Sequence, residues 1–337
     1  MSAPARSRIL GCGFKVPDMV VTNDDLAPIV DTSDEWVRQR SGIVERHYVD
    51  NDEGSVALAE DAVVQALARA GVEIGEVDAV ICCTLSPDVD FPGNSALLHG
   101  RLGLRPLLAF DVRNQCSGFV YALAIADHLI RSGAARHVLV VGSEVHSSGL
   151  DFEGPRGRDV TVLFGDGAGA VVIGPSDRED RGFLTFKLHA EGKYADKLCV
   201  IGPSHRRRPR LDLSVAPPED DYVFPKMEGR YVFKHAVTRM GEVIREALDD
   251  VGATVDDLDM LLPHQANLRI NQLVAMGLGI GEERMANNID RYGNTTAATI
   301  PILLTETLDE GRIREGDLVC FAAFGAGFTW AAALARW

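Results

Sequence analysis

The sequence predicts a layered α/β fold built from two similar halves, and three internal echoes in the same order predict it. In the first, ALARAGVEIGEVDAVI from Ala66 returns as ALDDVGATVDDLDMLL from Ala247, and an offset of 181 pairs Gly71 with Gly252, Ile74 with Val255 and Asp78 with Asp259. Each copy reads as a helix, a glycine stop, a short loop and a buried strand. In the second, CSGFVYALAIADHLIRSG from Cys116 and NTTAATIPILLTETLDEG from Asn294 are helix-length apolar segments ending at Gly133 and Gly311. β-rich runs follow them, HVLVVGSE from His137 and DLVCFAAF from Asp317, as helices crossing between parallel strands require. The third echo is Phe-Gly-x-Gly, at Phe164 to Gly167 and at Phe324 to Gly327. Offsets of 178 and 160 for these two echoes imply that loops changed length while the order of elements stayed.

The boundary is expected near residue 175, giving an N-terminal half over 1–175 and a C-terminal half over 176–337. Two such halves pack most simply face to face in alternating layers, which brings corresponding helix starts, and so Cys116 and Asn294, close together. Residues 176 to 225 break the pattern with prolines at 203, 209, 217, 218 and 225 and the string HRRRPR from His205. They read as an irregular excursion, chiefly over about 189–225.

A chain of 337 residues with 46% hydrophobic and 25% charged residues has ample material for such a core, which excludes disorder and fibrous classes. Its net charge of −15 argues against nucleic acid or an anionic membrane as the main partner. The N-terminal MSAPARSRIL has no secretory apolar stretch, and no run of about 18 apolar residues appears later, so a cytoplasmic location is expected. The six cysteines include no CxxC pair, so neither a metal site nor a disulfide framework is expected. Cys82, Cys83 and Cys320 lie in apolar strand-like runs and read as small buried hydrophobes.

Cys116 sits differently. It follows the strand-like LLAFDV and the turn Arg113-Asn114-Gln115 and opens a helix. Backbone N–H groups and the helix dipole there are expected to stabilise a thiolate and lower the thiol from its reference of about 8.5, making a nucleophile. His264 follows the apolar LDMLLP, at a strand's carboxyl end where α/β sheets bind ligands, and the other eight histidines have no comparable placement. Asn294, in Tyr292-Gly293-Asn294-Thr295-Thr296, begins a helix; a cap is its simplest role, and with no secretory signal its glycosylation pattern is discarded. The glycine strings at Gly11, Gly165 and Gly325 miss the dinucleotide spacing and suit close backbone approach or N–H donation instead.

Cys116, His264 and Asn294, in that order on a duplicated α/β frame, resemble the thiolase-fold condensing enzymes, and among them β-ketoacyl-acyl carrier protein synthase III. Supporting strings run nearly end to end. They include Thr32-Ser33-Asp34-Glu35-Trp36, Arg40-Ser41-Gly42-Ile43, Cys116-Ser117-Gly118-Phe119 and Phe164-Gly165-Asp166-Gly167-Ala168-Gly169-Ala170. Met227-Glu228-Gly229, His264-Gln265-Ala266-Asn267, Gly293-Asn294-Thr295 and Phe324-Gly325-Ala326-Gly327-Phe328-Thr329-Trp330 complete the set. The resemblance implies a thiolase-like fold layered αβαβα, with no cofactor and with coenzyme A thioesters as substrates.

It also implies a decarboxylative Claisen condensation. Cys116 takes the acyl group of an acyl-coenzyme A primer, and malonyl-acyl carrier protein then loses carbon dioxide and attacks it. His264, as an Nε–H donor, and Asn294 stabilise the enolate, while the backbone N–H groups of Cys116 and Ala326 form the oxyanion hole. Degradative relatives carry a second cysteine where Ala326 stands, and elongating relatives use two histidines. By the same resemblance Trp36 and Arg40 hold the coenzyme A adenine, Arg158 its phosphates and Asn267 its pantetheine. Phe91 reaches across a homodimer to the partner's acyl pocket. The bland alternative for Trp36 is a core residue beside a Thr32 to Glu35 capping box. Arg206, Arg207, Arg208 and Arg210 are candidates to meet the carrier protein or the coenzyme A phosphates, or else a solvated loop. Asn114 and Gln115 depart from the small residues that usually precede the nucleophile, which leaves a specialised synthase of the same fold as the alternative to fatty-acid initiation. A non-catalytic partner subunit is disfavoured because all three site residues are present.

Overall fold

The computed structural model describes residues 6–154, 157–206, 208–210 and 223–337. Two sheets form its frame. The first contains β1 (Ser7–Lys15), β2 (Ala79–Cys83), β3 (Leu108–Val112), β4 (Val138–Glu144) and β5 (Gly167–Pro175), in the order β1-β5-β4-β2-β3. The second contains β6 (Gly182–Ala190), β7 (Met260–Pro263), β8 (Leu318–Gly325) and β9 (Thr329–Arg336), in the order β7-β8-β9-β6. Their pairings match: β2 with β4 and β7 with β8 are parallel, and the next two neighbours in each sheet are antiparallel.

Seven helices of eight residues or more cover these sheets among the described residues: α1 (Asp34–Ser41), α2 (Ser55–Ala70), α3 (Asn94–Arg101), α4 (Gly118–Arg131), α5 (Gly229–Asp250), α6 (Leu268–Leu278) and α7 (Thr299–Asp309). Strand alternation sorts the side chains into layers. Val319, Phe321 and Ala323 of β8 pack in the central core with Ile81 of β2, Phe119 and Leu123 of α4 and Ile300 and Leu303 of α7. Leu318, Cys320 and Ala322 face the opposite way, onto Val243 and Ile244 of α5 and Val274 of α6. Val80 and Cys82 of β2 likewise face α2 and Leu98 of α3. The order is therefore helices, sheet, central helices α4 and α7, sheet, helices. Because α4 and α7 lie between two sheets they are apolar nearly all round. The buried hydroxyls of Thr305 and Thr307 in α7 bond back to Pro301 O and Leu303 O at 2.8 and 2.6 Å.

The halves correspond more closely than the sequence echoes suggest. Gly71 and Gly252 both end a helical stretch at positive φ, 63° and 69°. Three-residue 3₁₀ turns, Gln115–Ser117 and Thr296–Ala298, precede α4 and α7. Gln115 and Thr296 have φ of 44° and 47° and lie 181 residues apart, the spacing that also separates Gly71 from Gly252. The 178 offset that aligned Cys116 with Asn294 is thus corrected to 181: the backbone partner of Gln115 is Thr296, and Asn294 lies two residues earlier.

The expected excursion over 176–225 also needs correction. Residues 182–190 form β6, paired with β9 along its length except for a bulge at Leu184, and bury Phe183. Their alternation, Gly-Phe-Leu-Thr-Phe-Lys-Leu-His-Ala, is the signal that the scattered charges obscured. Between Ala190 and α5 the described residues make short turns and the two-residue pairing of 198–199 with 226–227; 207 and 211–222 lie outside the described residues. Among the described residues no helix is long and apolar enough to cross a membrane.

The turn Thr296–Ala298 packs against β4 because Gly142 has no side chain; a Cβ there would sit 2.3 Å from Ala297 O. Gly142→Ala should therefore cost about 1–3 kcal/mol by forcing two backbones apart. Urea unfolding checks this, and a loss under about 0.5 kcal/mol would show the approach to be slack.

Candidate active site

Cys116 follows β3 after the turn 113–115. Its 3₁₀ turn is tied down by Ser117 Oγ, which donates to Asn114 O, accepts from Asn114 Nδ2, both at 3.0 Å, and meets Thr329 Oγ1 at 2.8 Å. The end of β8 lies so close that a Cβ on Gly325 would be 2.9 Å from Cys116 Cβ. The backbone N–H groups of Cys116 and Ala326 lie beside the Cys116 sulfur and favour its charged form.

The thiol departs from the sequence expectation. Burial first, and the nearby Glu144 charge second, push it up to about 12, and the two N–H groups offset only part of this. The 3₁₀ turn and short exposed dipole do not outweigh removal of the thiolate from water. Glu144 is itself buried and its carboxyl raised to about 7, although Thr84 Oγ1, Leu85 N, Ser86 N and Ser86 Oγ all donate to it.

His264 continues the β7 ladder, its N–H donating to Ala322 O at 2.8 Å. Its ring is buried. Nδ1 meets Thr299 Oγ1 at 2.7 Å, and Nε2 has no hydrogen-bond partner. Burial lowers the imidazole to about 3, so the ring is neutral near pH 7.

Asn294 is stitched to the other half through its backbone: its N–H donates to Leu163 O at 2.8 Å, and Gly165 N–H donates to Asn294 O at 3.2 Å. Gly165 permits this, since a Cβ there would meet Tyr292 O at 2.3 Å. The Asn294 side chain accepts from Thr296 N–H through Oδ1 at 2.9 Å. Thr299 Oγ1, the partner of His264, also lies 2.9 Å from Thr296 O. His264 and Asn294 are therefore joined through Thr299 and Thr296, and the turn holding Thr296 packs on the turn holding Cys116.

Cys116, His146, Phe164, Thr296, Ala326 and Gly327 share the wall of a cavity of about 1080 Å³. At Trp36, Arg40 and Arg158 both lie over the indole, 4.7 and 4.5 Å from its centroid, and Arg158 also reaches Asp31 at 3.3 Å. Ser33 rather than Thr32 caps α1, accepting from Trp36 N–H at 3.2 Å. Asn267 caps α6 and donates to Arg40 O at 2.9 Å, fastening the end of α1 beside the loop that follows His264. Phe91 is 80% exposed. Arg206 and Arg208 are exposed, Arg210 pairs with Asp90 at 2.8 Å, and Arg207 lies outside the described residues.

Sequence reasoning passed over Thr296, Thr299, Glu144 and His146. His146 comes two residues after β4 and lines the same cavity as Cys116, so the expectation that no other histidine resembled His264 is corrected. The signal was present in HVLVVGSEVH, an apolar strand leading to a histidine.

Models of the 3-oxoacyl-(acyl-carrier-protein) synthase III family match residues 110–192, and of its C-terminal part residues 248–337. The β-ketoacyl-(acyl-carrier-protein) synthase III of Rhodospirillum centenum is 45% identical over 99% of this chain and 100% of that protein. This chain belongs to the synthase III family. The crystal structure of the Aquifex aeolicus synthase III, 40% identical, superposes with a TM-score of 0.89 over 98% of this chain and 100% of that one. A priming β-ketosynthase from a polyketide pathway, 33% identical, does so with a TM-score of 0.90 over 100% and 98%. Synthase III enzymes are condensing acyltransferases that start fatty-acid synthesis, with coenzyme A thioesters as substrates and no cofactor.

With the thiol raised, iodoacetamide should alkylate Cys116 more slowly than free cysteine, at a rate climbing about tenfold per pH unit from about pH 7 to 10. A plateau near neutral pH in intact-mass kinetics would mean a stable resting thiolate.

Proposed function

We propose that this chain condenses an acyl-coenzyme A primer with malonyl-acyl carrier protein through an acyl-Cys116 intermediate. The product is a β-ketoacyl-acyl carrier protein. The observation that carries this reading is the buried, unpartnered Nε2 of neutral His264, tied through Thr299 and Thr296 to the Asn294 carboxamide and to the turn of Cys116. A buried polar atom left without a partner is costly unless a ligand completes it.

In the first half-reaction the Cys116 sulfur forms a bond to the primer carbonyl carbon, the carbon–sulfur bond to coenzyme A breaks, and the Cys116 proton ends on the departing coenzyme A thiol. Two N–H groups, from Cys116 and Ala326, hold the oxyanion. A buried thiol that resists ionisation suits this sequence, since charge develops on the carbonyl oxygen, where the two N–H groups hold it. In the second, the malonyl carbon–carbon bond breaks, carbon dioxide leaves, and the enolate oxygen accepts from His264 Nε2–H and Asn294 Nδ2. Its carbon attacks the acyl-Cys116 carbonyl, and the thiolate leaves and regains a proton. With Thr299 Oγ1 donating to Thr296 O, Nδ1 carries the ring proton; the donor role of Nε2 requires the other tautomer, in which the Thr299 hydroxyl turns from Thr296 O to Nδ1.

The Trp36 stack is read as the adenine site, with Arg40 and Arg158 contributing and Asn267 near the pantetheine. A flat base on the indole requires one guanidinium to swing aside. A cytoplasmic homodimer belongs to the same reading. β3 is a sheet edge, Leu108 at its start is 47% exposed, and exposed Phe91 suits insertion into a second copy. Arg206, Arg208 and Arg210 are candidate contacts for the carrier protein.

Intact mass after mixing with acyl-coenzyme A tests the central claim. The wild type should gain one acyl group and Cys116→Ala none. His264→Ala and Asn294→Ala should still acylate yet lose about 10²- to 10³-fold in condensation. Acylation of the Cys116→Ala protein would refute the assignment. Trp36→Ala should raise the KM for acyl-coenzyme A about tenfold with little change in kcat, and an unchanged KM would remove the indole from the binding site.

A further inference from the structure

We propose that His146 is a positioning residue for the Asn294 donor, acting through Thr296; this rests on the reading of Asn294 given above. The starting observation is a backbone one. Thr296 has φ of 47°, in the left-handed region that a β-branched residue strongly disfavours. Such a conformation persists only where neighbours hold it.

Three contacts do so. The Thr296 N–H donates to Asn294 Oδ1 at 2.9 Å. The Thr296 hydroxyl meets His146 Nε2 at 2.7 Å. The Ala297 backbone lies against Gly142. Only the first touches Asn294, but its direction depends on the other two. If Thr296 relaxes toward an ordinary φ, its N–H turns away from Oδ1. The carboxamide is then free to rotate and present its oxygen where the enolate needs an N–H.

His146 is built to bear on this point. Its own N–H donates to Asp166 Oδ1 at 2.6 Å, and Asp166 is held in turn by Val49 N, Ser147 N and Ser147 Oγ. Its ring lies 4.8 Å from that of Phe164, the residue that pairs with Asn294 in an isolated parallel bridge. The imidazole is buried and neutral, so it holds Thr296 with one fixed hydrogen bond rather than a charge. The arrangement parallels that at Thr299, where a second threonine hydroxyl of the same segment meets His264. One segment, 294–299, is thereby gripped by two imidazoles from opposite halves of the molecule.

The test separates the two half-reactions in His146→Leu, His146→Gln and Thr296→Val. Transfer from acetyl-coenzyme A to Cys116 is followed by intact mass, and decarboxylation of malonyl-acyl carrier protein by carbon dioxide release. His146→Leu should acylate within about twofold of wild type yet decarboxylate about 10- to 100-fold more slowly, the scale of a misplaced donor. His146→Gln, which keeps a polar atom in reach of Thr296, should recover most of that loss. Thr296→Val, which keeps the N–H and shape but not the hydroxyl, should behave as His146→Leu does. Equal slowing of both half-reactions, or of neither, overturns the proposal, as does failure of Gln to rescue. Asn294→Ala distinguishes this from failure of the underlying reading. If it decarboxylates normally, the role of Asn294 falls and the proposal with it; if it is slow while His146→Leu and Thr296→Val are normal, the proposal alone falls.

Discussion

Between Asn294 and Thr299 the two halves of the molecule are fastened at a point from which water is excluded. Asn294 bonds through its backbone to Leu163 and Gly165, Thr296 to His146 and to Asn294 Oδ1, and Thr299 to His264. Hydrogen bonds in such a setting are strong because little competes with them, and a missing partner is correspondingly costly. That asymmetry makes two buried atoms stand out, His264 Nε2 and Thr295 Oγ1, which have no partner while Asn294 Oδ1, Thr296 and Thr299 are engaged.

The same burial decides the charge state of the site. Burial raises the thiol of Cys116 and lowers both imidazoles, so sulfur, His264 and His146 all rest uncharged. Neutral donors suit a reaction whose anionic charge appears and vanishes within one turnover, since a fixed cation would hold the malonyl carboxylate rather than release its carbon dioxide. The nearest buried acid, Glu144, is spent on four donors of the 84–86 loop, which fixes one wall of the cavity.

Close approach makes this geometry possible. Gly142 admits the Ala297 backbone, Gly165 the carbonyl of Tyr292, and Gly325 the Cys116 turn, with hypothetical Cβ contacts of 2.3, 2.3 and 2.9 Å. Two of these glycines belong to the Phe-Gly-x-Gly echoes. Their purpose is clearance between backbones, in keeping with their poor match to any nucleotide-binding spacing.

Local rules made much of this legible beforehand. Gly71 and Gly252 could be read as helix stops because a left-handed residue wants glycine, and Cys116 and His264 because each follows an apolar run at a strand end. The alternation of β6 and the strand preceding His146 were present in the chain too, though masked by nearby charge and proline. Other features had no local signal. Thr296 is a residue no turn rule would set at positive φ; His146, 150 residues earlier, helps impose it. Nor does Cys116's place before a helix reveal its protonation, which burial by both halves sets against the local dipole. Sequence alone determined the repeated elements, their order and the three chemical groups offered, because these follow from periodicity and residue type within a short window. Tertiary structure decided which groups are dry, which are strained and which hold one another, because those depend on neighbours from tens to well over a hundred residues away.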